Sequence, residues 1–339
     1  MDSMIKGFDR NISTSLESQI SNDLLLRFYF SMLRIRKVEE LIAKMIEEGL
    51  IICPCHLYIG QEAVAVGVCT ALNRNDYVYS THRSHGHYLA KGGSLRELIA
   101  ELLGRRTGCS GGHGGSMHLV SPDMGFIGSS AIVGGSIPLA VGSALAFSLQ
   151  NSEQVSVVFF GDGAATEGVL YECLNIAALM KLPVIFVCEN NFYSTHMHIS
   201  LIQASSLLYK KAEAFGVYSL RIDGNDVVEV YKATVEAVQR AKLGEGPTFL
   251  ECITYRWRGH VGPNWDLDKG IRDPEEVEHW VRKCPINKLE IILSEKGLLT
   301  DQKKEEICLM IDRELKDAMT YARRSPYPDS SSSLRDLYI

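Results

Sequence analysis

The clearest structural signal in this chain is VSVVFFGDGAATEGVLYECLNIAALMKLPVIFVCENN, residues 155–191. Two apolar runs within it, 155–160 and 184–188, are rich in β-branched and aromatic residues. Such runs are typical of strands buried on both faces of a parallel sheet. The stretch between them, 166–180, is predicted to be helical. The segment is therefore predicted to be a βαβ unit with two parallel strands.

The same alternation continues towards the carboxyl end. Residues 218–222 and 248–255 are predicted to be strands, and a helix is predicted over 227–242. Strands that alternate with helices indicate an α/β fold with a doubly wound, mainly parallel sheet flanked by helices. A long amphipathic helix over 24–50 and charged helical sequence after residue 274 predict helical extensions at both ends.

The stretch 56–104 is predicted to be helical with interruptions. Its helices are expected over 61–72 and 94–103, the second with Ser94 as its N-cap in a capping-box pattern. The polar residues 81–88 between them are predicted to be a loop.

We expect three parts in the chain: a polar N-terminal segment (1–23), one α/β domain (24–320) and a C-terminal tail (321–339). The formal net charge of −6 shows no basic excess, so neither a nucleic acid nor a membrane surface is expected as a partner. The most apolar long stretch, 131–147, is too short and too often interrupted to span a bilayer.

The cysteines and the N-terminus give information on the cellular compartment. Nine cysteines are scattered from Cys53 to Cys308 without a zinc-ligand spacing, which favours free thiols in a reducing cytosol. The N-terminus has no apolar core like that of a signal peptide. A cytoplasmic protein is expected.

Polar residues follow both strands of the central βαβ unit. Asp162 comes directly after the first strand and Asn191 directly after the second, and parallel strands end at the same edge of a sheet. Their carboxylate and amide oxygens suit Mg²⁺, and the following helix directs N–H groups towards an anion. The alternative is that Gly161-Asp162-Gly163 is only a turn whose aspartate caps a helix. The asparagine at the matching strand end favours a site for a metal ion and a diphosphate.

Several motifs in order resemble a known family. They are CHLYIGQEA (55–63), HRSHG (82–86), GGHGGSMH (111–118), AIVGGSIPLAVG (131–142), GDGAATEG (161–168), KLPVIFVCENNFY (181–193) and YRWRGH (255–260). From about residue 25 to 316, the chain resembles the alpha subunit of the thiamine diphosphate-dependent first component of 2-oxo acid dehydrogenases, of the pyruvate and acetoin type. The resemblance is specific for the family and weak for the substrate.

The resemblance implies a set of site residues. It implies magnesium ligands at Asp162, Asn191 and the carbonyl of Tyr193. It implies cofactor contacts at His82, Arg83, Ala131, Val133, Asp162, Gly163, Ala164, Asn191, Tyr193 and His260. It implies catalytic roles for His260 and for His56, although His56 is equally well interpreted as a structural histidine. The family usually has tyrosine where this chain has His82, whose titration would make diphosphate affinity depend on pH near neutrality.

Four more histidines were considered as metal ligands: His85, His87, His113 and His118. Their spacing fits no ligand template, so they are interpreted as histidines that bond to backbone groups and carboxylates.

The resemblance also implies an activity and partners. The expected cofactors are thiamine diphosphate and Mg²⁺. The expected reaction is oxidative decarboxylation of a 2-oxo acid such as pyruvate, or cleavage of acetoin, through the ylide of the cofactor, with acyl transfer to lipoamide. The expected partners are a beta subunit in an alpha2-beta2 heterotetramer, which supplies the glutamate that activates the cofactor, and a lipoyl acyltransferase. Two alternatives stay open: an acyloin or carboligase-type transferase without lipoamide, favoured by the unusual loop 262–266, and a subunit without catalytic residues.

Overall fold

The computed structural model describes residues 20–268 and 270–331. The strands are β1 (Tyr77–Ser80), β2 (Phe126–Ser129), β3 (Ser156–Gly161), β4 (Val184–Asn190), β5 (Tyr193–Ser194), β6 (Met197–His198), β7 (Tyr218–Asp223) and β8 (Thr248–Ile253). The helices are α1 (Asn22–Glu47), α2 (Glu62–Thr70), α3 (His85–Lys91), α4 (Leu95–Leu102), α5 (Ser136–Leu149), α6 (Gly168–Leu179), α7 (Ile199–Ile202), α8 (Leu208–Glu213), α9 (Val227–Lys242), α10 (Pro274–Arg282), α11 (Pro285–Glu295) and α12 (Asp301–Arg324).

One parallel sheet organises the described part of the chain. Its strand order is β2-β1-β3-β4-β8-β7, and each neighbouring pair is parallel. The strands β5 and β6 form a separate antiparallel hairpin. The predicted α/β class with a doubly wound parallel sheet is confirmed.

Both faces of the sheet are covered, which explains the continuous apolar runs in the sequence. Along β4, Phe186 and Cys188 pack against one set of helices, α5 to α8. Ile185 and Val187, which point the other way, pack in a second core with α1 to α4, α9, α11 and α12. Side chains alternate along a strand, so one apolar run supplies two hydrophobic cores.

The prediction of a loop at 81–88 is wrong from residue 85 onward, and the sequence did not predict a strand among the interruptions of the helical stretch 56–104. Strand β1 runs through that stretch and α3 begins at His85. The polar side chains of α3 are buried, because each finds a partner inside the protein. His85 Nδ1 lies 3.2 Å from Glu39 Oε2, and His87 Nε2 lies 3.1 Å from Glu189 Oε1. Polar composition therefore did not indicate exposure here.

The predicted terminal parts are only partly within the described residues, since 1–19 and 332–339 lie outside them. At the N-terminal side, α1 begins before residue 24, and the Ser21 hydroxyl accepts a hydrogen bond from the Leu24 N–H at 3.2 Å. At the C-terminal side, α12 continues past residue 320.

Two further predictions concern the cysteines and the absence of a membrane-spanning helix. All nine cysteines are free thiols, six of them buried and three half-buried. Among the described residues, no helix combines the length and apolar composition that crossing a membrane requires.

A buried ion pair holds the segment that precedes α2. Arg36 on α1 donates to Glu62 at 2.6 and 3.0 Å, and Glu62 also accepts from the Gly60 N–H at 3.1 Å. The guanidinium lies 4.0 Å from the centre of the Trp257 ring. Through these contacts α1 fixes residues 56–61 next to the chain that leaves β8.

We expect Glu62→Gln to lower the free energy of unfolding by about 3 kcal/mol, because it leaves the buried Arg36 charge without its counterion. Urea denaturation of the purified chain measures this. The matched control is Glu278→Gln, which breaks an exposed pair with Arg282 (2.9 Å) and should cost less than about 0.5 kcal/mol. Equal losses in the two variants would contradict the assigned role of the buried pair.

Candidate functional site

A cleft of about 210 Å³ opens at the carboxyl edge of the sheet, where β3 and β4 end. Every site residue implied by the resemblance lines this one cleft: His56, His82, Arg83, Ala131, Val133, Asp162, Gly163, Ala164, Asn191, Tyr193 and His260. They come from segments far apart in sequence, and the parallel sheet brings these segments to one edge.

Asp162 is the buried acid of the cleft. It follows β3 directly and begins the short 3₁₀ helix Asp162–Thr166. The residue is 1% exposed, and its Oδ2 has no hydrogen-bond partner in the described structure. Burial raises the pKa of the carboxyl group to about 7, although its own backbone N–H and the charge of Arg256 oppose the shift. A buried carboxylate without a partner is costly, so this position suits a cation.

The two asparagines after β4 have different roles. Asn190 is fully buried and donates to Glu251 at 2.7 Å, so it joins β4 to β8. Asn191 faces the cleft, where its Nδ2 donates to Gln61 Oε1 at 3.0 Å. Its Oδ1 accepts a long bond from the Tyr193 N–H, 3.3 Å, and keeps capacity for a further partner. Asn191 is therefore the asparagine that can act as a ligand.

The oxygen donors fit a hard divalent cation. The carboxylate of Asp162, the amide oxygen of Asn191 and the backbone at Tyr193 all lie on the cleft wall. A few protein oxygens with room for phosphate oxygens or water is the usual environment of Mg²⁺. The unpartnered Oδ2 of Asp162 is the specific feature that a bound cation would satisfy.

Gly163 lies where the chain after β3 packs tightly against the β5–β6 hairpin. A Cβ at this position would lie 2.5 Å from Ser194 Oγ and 3.0 Å from Ser194 Cβ. A Cβ on Gly161, by contrast, would meet nothing within 4 Å. Glycine is thus required at 163 because of a neighbouring side chain, and the backbone N–H groups of 163 and 164 stay close to the cleft.

Three histidines meet on the other wall of the cleft. The ring centres of His56 and His82 are 4.4 Å apart, and those of His56 and His260 are 4.9 Å apart. Burial, followed by the charge of Arg83, lowers the pKa of His82 to about 4 and of His260 to about 3, and holds that of His56 well below its ordinary value. All three imidazoles are therefore neutral near pH 7. His82 does not carry the titration near neutrality that the sequence suggested.

Arg83 is the buried cation beside these histidines. Its guanidinium donates to the carbonyl oxygens of Leu57 (2.5 Å) and His260 (3.1 Å). Burial lowers its pKa to about 10, so it remains charged at neutral pH. Because carbonyl oxygens use only part of its five donors, the guanidinium can also bind a phosphate group.

The rim of the cleft at Ala131 and Val133 is apolar and open. Ile132 is 70% exposed and Val133 is 49% exposed. Large apolar side chains next to a buried polar site are typical of a surface that another molecule covers. The described structure thus combines buried polar residues inside the cleft with an exposed apolar rim.

Three of the four other histidines, His85, His87 and His118, have bonds of the predicted kind. His85 and His87 bond to buried carboxylates and hydroxyls, with His85 Nε2 2.8 Å from Ser116 Oγ. The ring of His118 lies 3.1 Å from the carbonyl oxygen of Gly114.

Sequence reasoning assigned no role to two buried polar residues of the cleft. Gln61 is fully buried, binds Asn191, and has an Nε2 without a partner in the described structure. Glu189 accepts hydrogen bonds from Tyr58 and His87 beneath the cleft. Glu189 could have been found, because it immediately precedes the paired asparagines. Gln61 had no local signal beyond its place in the CHLYIGQEA motif.

Comparison with known proteins adds independent information. The family model described as the dehydrogenase E1 component matches residues 30–331. The chain belongs to the dehydrogenase E1 component family. The family resemblance seen in the sequence motifs is thereby confirmed over most of this chain.

Curated relatives of this E1 chain cover nearly its full length. The alpha subunit of acetoin:2,6-dichlorophenolindophenol oxidoreductase from Bacillus subtilis is 39% identical, over 94% of this chain and 95% of its own. The pyruvate dehydrogenase E1 component subunit alpha of Rhizobium meliloti is 39% identical over 95% and 92% of the two chains. The subunit of the same name from Zymomonas mobilis is 41% identical over 90% and 85%.

We expect Asp162→Asn to stabilise the metal-free chain by at least about 2 kcal/mol at about pH 8. The folded state raises the pKa of this acid from 3.8 to about 7, so wild-type stability falls as pH rises through that interval. Asparagine has no proton to lose. The gain should vanish at about pH 4, where the carboxyl group is protonated in the folded state. Urea denaturation at both pH values tests this, and a gain that does not depend on pH would refute it.

We expect Gly163→Ala to lower the free energy of unfolding by roughly 1–3 kcal/mol through its collision with Ser194. The double variant Gly163→Ala, Ser194→Gly should recover most of that loss, which a double-mutant cycle measures. Gly161→Ala is the matched control and should be nearly neutral, since its new methyl group meets open space. Additive effects of the two substitutions would show that this contact does not constrain residue 163.

Proposed function

We propose that this chain is the alpha subunit of a thiamine diphosphate-dependent 2-oxo acid dehydrogenase that acts on pyruvate or acetoin and passes the acyl group to lipoamide. The observation that carries the proposal is the buried Oδ2 of Asp162, which has no hydrogen-bond partner in the described structure and lies in the same cleft as Asn191 and Arg83. The names of the relatives, pyruvate dehydrogenase E1 alpha and acetoin oxidoreductase alpha, support the substrate class. The free thiols support a reducing compartment such as the cytosol.

Side chains and backbone groups of the cleft share the proposed binding of the cofactor. Asp162, the side chain of Asn191 and the carbonyl of Tyr193 would hold Mg²⁺, which would neutralise the diphosphate. The backbone of Gly163 and Ala164 would bind phosphate oxygens. Arg83, His82 and His260 would bind the diphosphate as well, and the backbone of Ala131 and Val133 would hold the aminopyrimidine.

The chemistry needs an electron sink next to groups that can move a proton. When bound, thiamine diphosphate supplies the electron sink that decarboxylation of a 2-oxo acid requires. His56 and His260 face the cleft as neutral imidazoles, so each can share an N–H proton with the reacting oxygen through a hydrogen bond. Arg83 keeps the His260 loop in place through the carbonyl of His260. The apolar rim excludes water once it is covered.

A second polypeptide completes this site. The exposed Ile132 and Val133 support a partner that packs on the rim, in accord with relatives that are named as alpha subunits. We propose a beta subunit in an alpha2-beta2 heterotetramer, which supplies the carboxylate that activates the aminopyrimidine. A lipoyl acyltransferase is the proposed acceptor of the acyl group.

The experiment is reconstitution of the purified chain with its beta subunit, thiamine diphosphate and Mg²⁺, with pyruvate and a free lipoyl domain as substrates. We expect acyl-lipoyl product from the pair and none from the chain alone. Asp162→Ala should reduce turnover by at least about 10²-fold, because the metal and the diphosphate lose their anchor. Chelation should abolish turnover of the wild-type pair, and added Mg²⁺ should restore it.

Each alternative gives its own result in the same assay. Turnover by the isolated chain would refute the shared site. Full activity of the Asp162→Ala pair would indicate a subunit without catalytic residues. Condensation of pyruvate with an added aldehyde, without transfer to the lipoyl domain, would identify a carboligase. Glu278→Gln is the control variant, because that exposed side chain is not among the cleft residues and its loss should leave turnover unchanged.

A further inference from the structure

Two cysteines lie side by side next to the cleft. Cys53 and Cys55 are separated by Pro54, and their sulfur atoms are 3.9 Å apart. The Cys55 thiol also lies 3.5 Å from the carbonyl oxygen of Cys53. Both side chains therefore point the same way, and the sulfurs need to approach by only about 2 Å to reach disulfide bonding distance.

The two thiols differ in access. Cys53 is half-buried, and its neighbour Ile52 is 94% exposed, so this part of the chain lies at the surface. Cys55 is 1% exposed. A small reagent can therefore reach the sulfur of Cys53, whereas Cys55 can be reached only through Cys53.

The two thiols also differ in acidity. A hydrogen bond from Cys55 lowers the pKa of Cys53 against the opposing effect of burial, and the backbone at Ser116 and the ring of His85 lower it further. The same hydrogen bond and burial raise the pKa of Cys55. The thiolate is the reactive form of cysteine, so Cys53 is the nucleophile of the pair and Cys55 is the resolving thiol.

We propose that Cys53 and Cys55 form a redox-active dithiol that exchanges with low-molecular-weight disulfides. The Cys53 thiolate attacks one sulfur of the small disulfide, which gives a mixed disulfide and releases one thiolate. That thiolate takes the proton of Cys55. The Cys55 sulfur then attacks Cys53 and releases the second thiolate, so that two protein thiols are oxidised and one disulfide is reduced to two thiols. A ring closed across one residue is strained, and strained disulfides are reduced easily.

Closure of this disulfide would reach the cleft through the backbone. Cys55 precedes His56, and its carbonyl oxygen accepts a hydrogen bond of 2.9 Å from the Gly262 N–H in the loop after His260. A shift of the Cys55 backbone would therefore move His56 directly and His260 through the loop at Gly262. The thiol exchange does not depend on the thiamine reaction, so it can be tested whether or not the proposed function holds.

The experiment treats the full chain, and separately the assembly with the beta subunit, with oxidised glutathione at neutral pH. We expect wild type to lose two of its nine free thiols, with peptide mass mapping locating the bond between Cys53 and Cys55. Added dithiothreitol should restore both thiols. A stable glutathione adduct without the internal bond, or loss of thiols elsewhere, would overturn the proposal.

Single variants separate the two roles. Cys55→Ser should stop at a glutathione adduct on Cys53, because no resolving thiol remains. Cys53→Ser should react at least about tenfold more slowly than wild type, because the buried Cys55 is not accessible. Cys308→Ser, a half-buried cysteine on α12, is the matched control and should behave as wild type. If Cys55→Ser fails to fold by circular dichroism, Cys55→Ala replaces it. Equal reactivity of Cys53→Ser and wild type would refute the assignment of the nucleophile.

Discussion

The parallel pairing of β3 with β4 is the constraint on which the site depends. Gly161 lies opposite Glu189 in this ladder, and β4 ends one residue later, so both strands leave the sheet at the same edge. The fold, and not proximity in the sequence, therefore brings Asp162 and Asn191 to the same edge. A one-residue shift of this register would turn the side chains to the other face. The hydrophobic cores on both faces of the sheet therefore also fix the geometry of the polar cleft.

The buried polar groups beneath the cleft and those inside it differ in whether they have partners. Beneath the cleft, the buried acids Glu39 and Glu189 are satisfied by His85 and His87 and hold α3 in place. Inside the cleft, Oδ2 of Asp162 is buried without a partner among the described residues, and the neighbouring histidines are kept neutral by burial and by Arg83. Buried polar groups that are paired support the fold, while those that are unpaired remain available to a ligand.

Sequence reasoning succeeded where the information is local. The apolar run of β3 predicted one strand and placed the glycine-flanked Asp162 at its end. It failed for α3, because the partners of His85 and His87 lie far away in the sequence and only the fold brings them together. The contrast between Asn190, which joins two strands, and Asn191, which faces the cleft, also depends on side-chain direction. The meeting of His56, His82 and His260 depends on chain crossings that periodicity cannot reveal.

The open apolar rim at Ile132 and Val133 has a consequence for how this protein is made in a cell. Burying such side chains is favourable by about 25 cal/mol per Å², so binding of a partner stabilises the folded chain by mass action. Copies synthesised in excess over that partner keep this apolar surface exposed to solvent. These surplus molecules are the ones that would self-associate or be removed by proteases. If the proposed beta subunit covers this rim, balanced production of the two polypeptides is a physical requirement of the shared site.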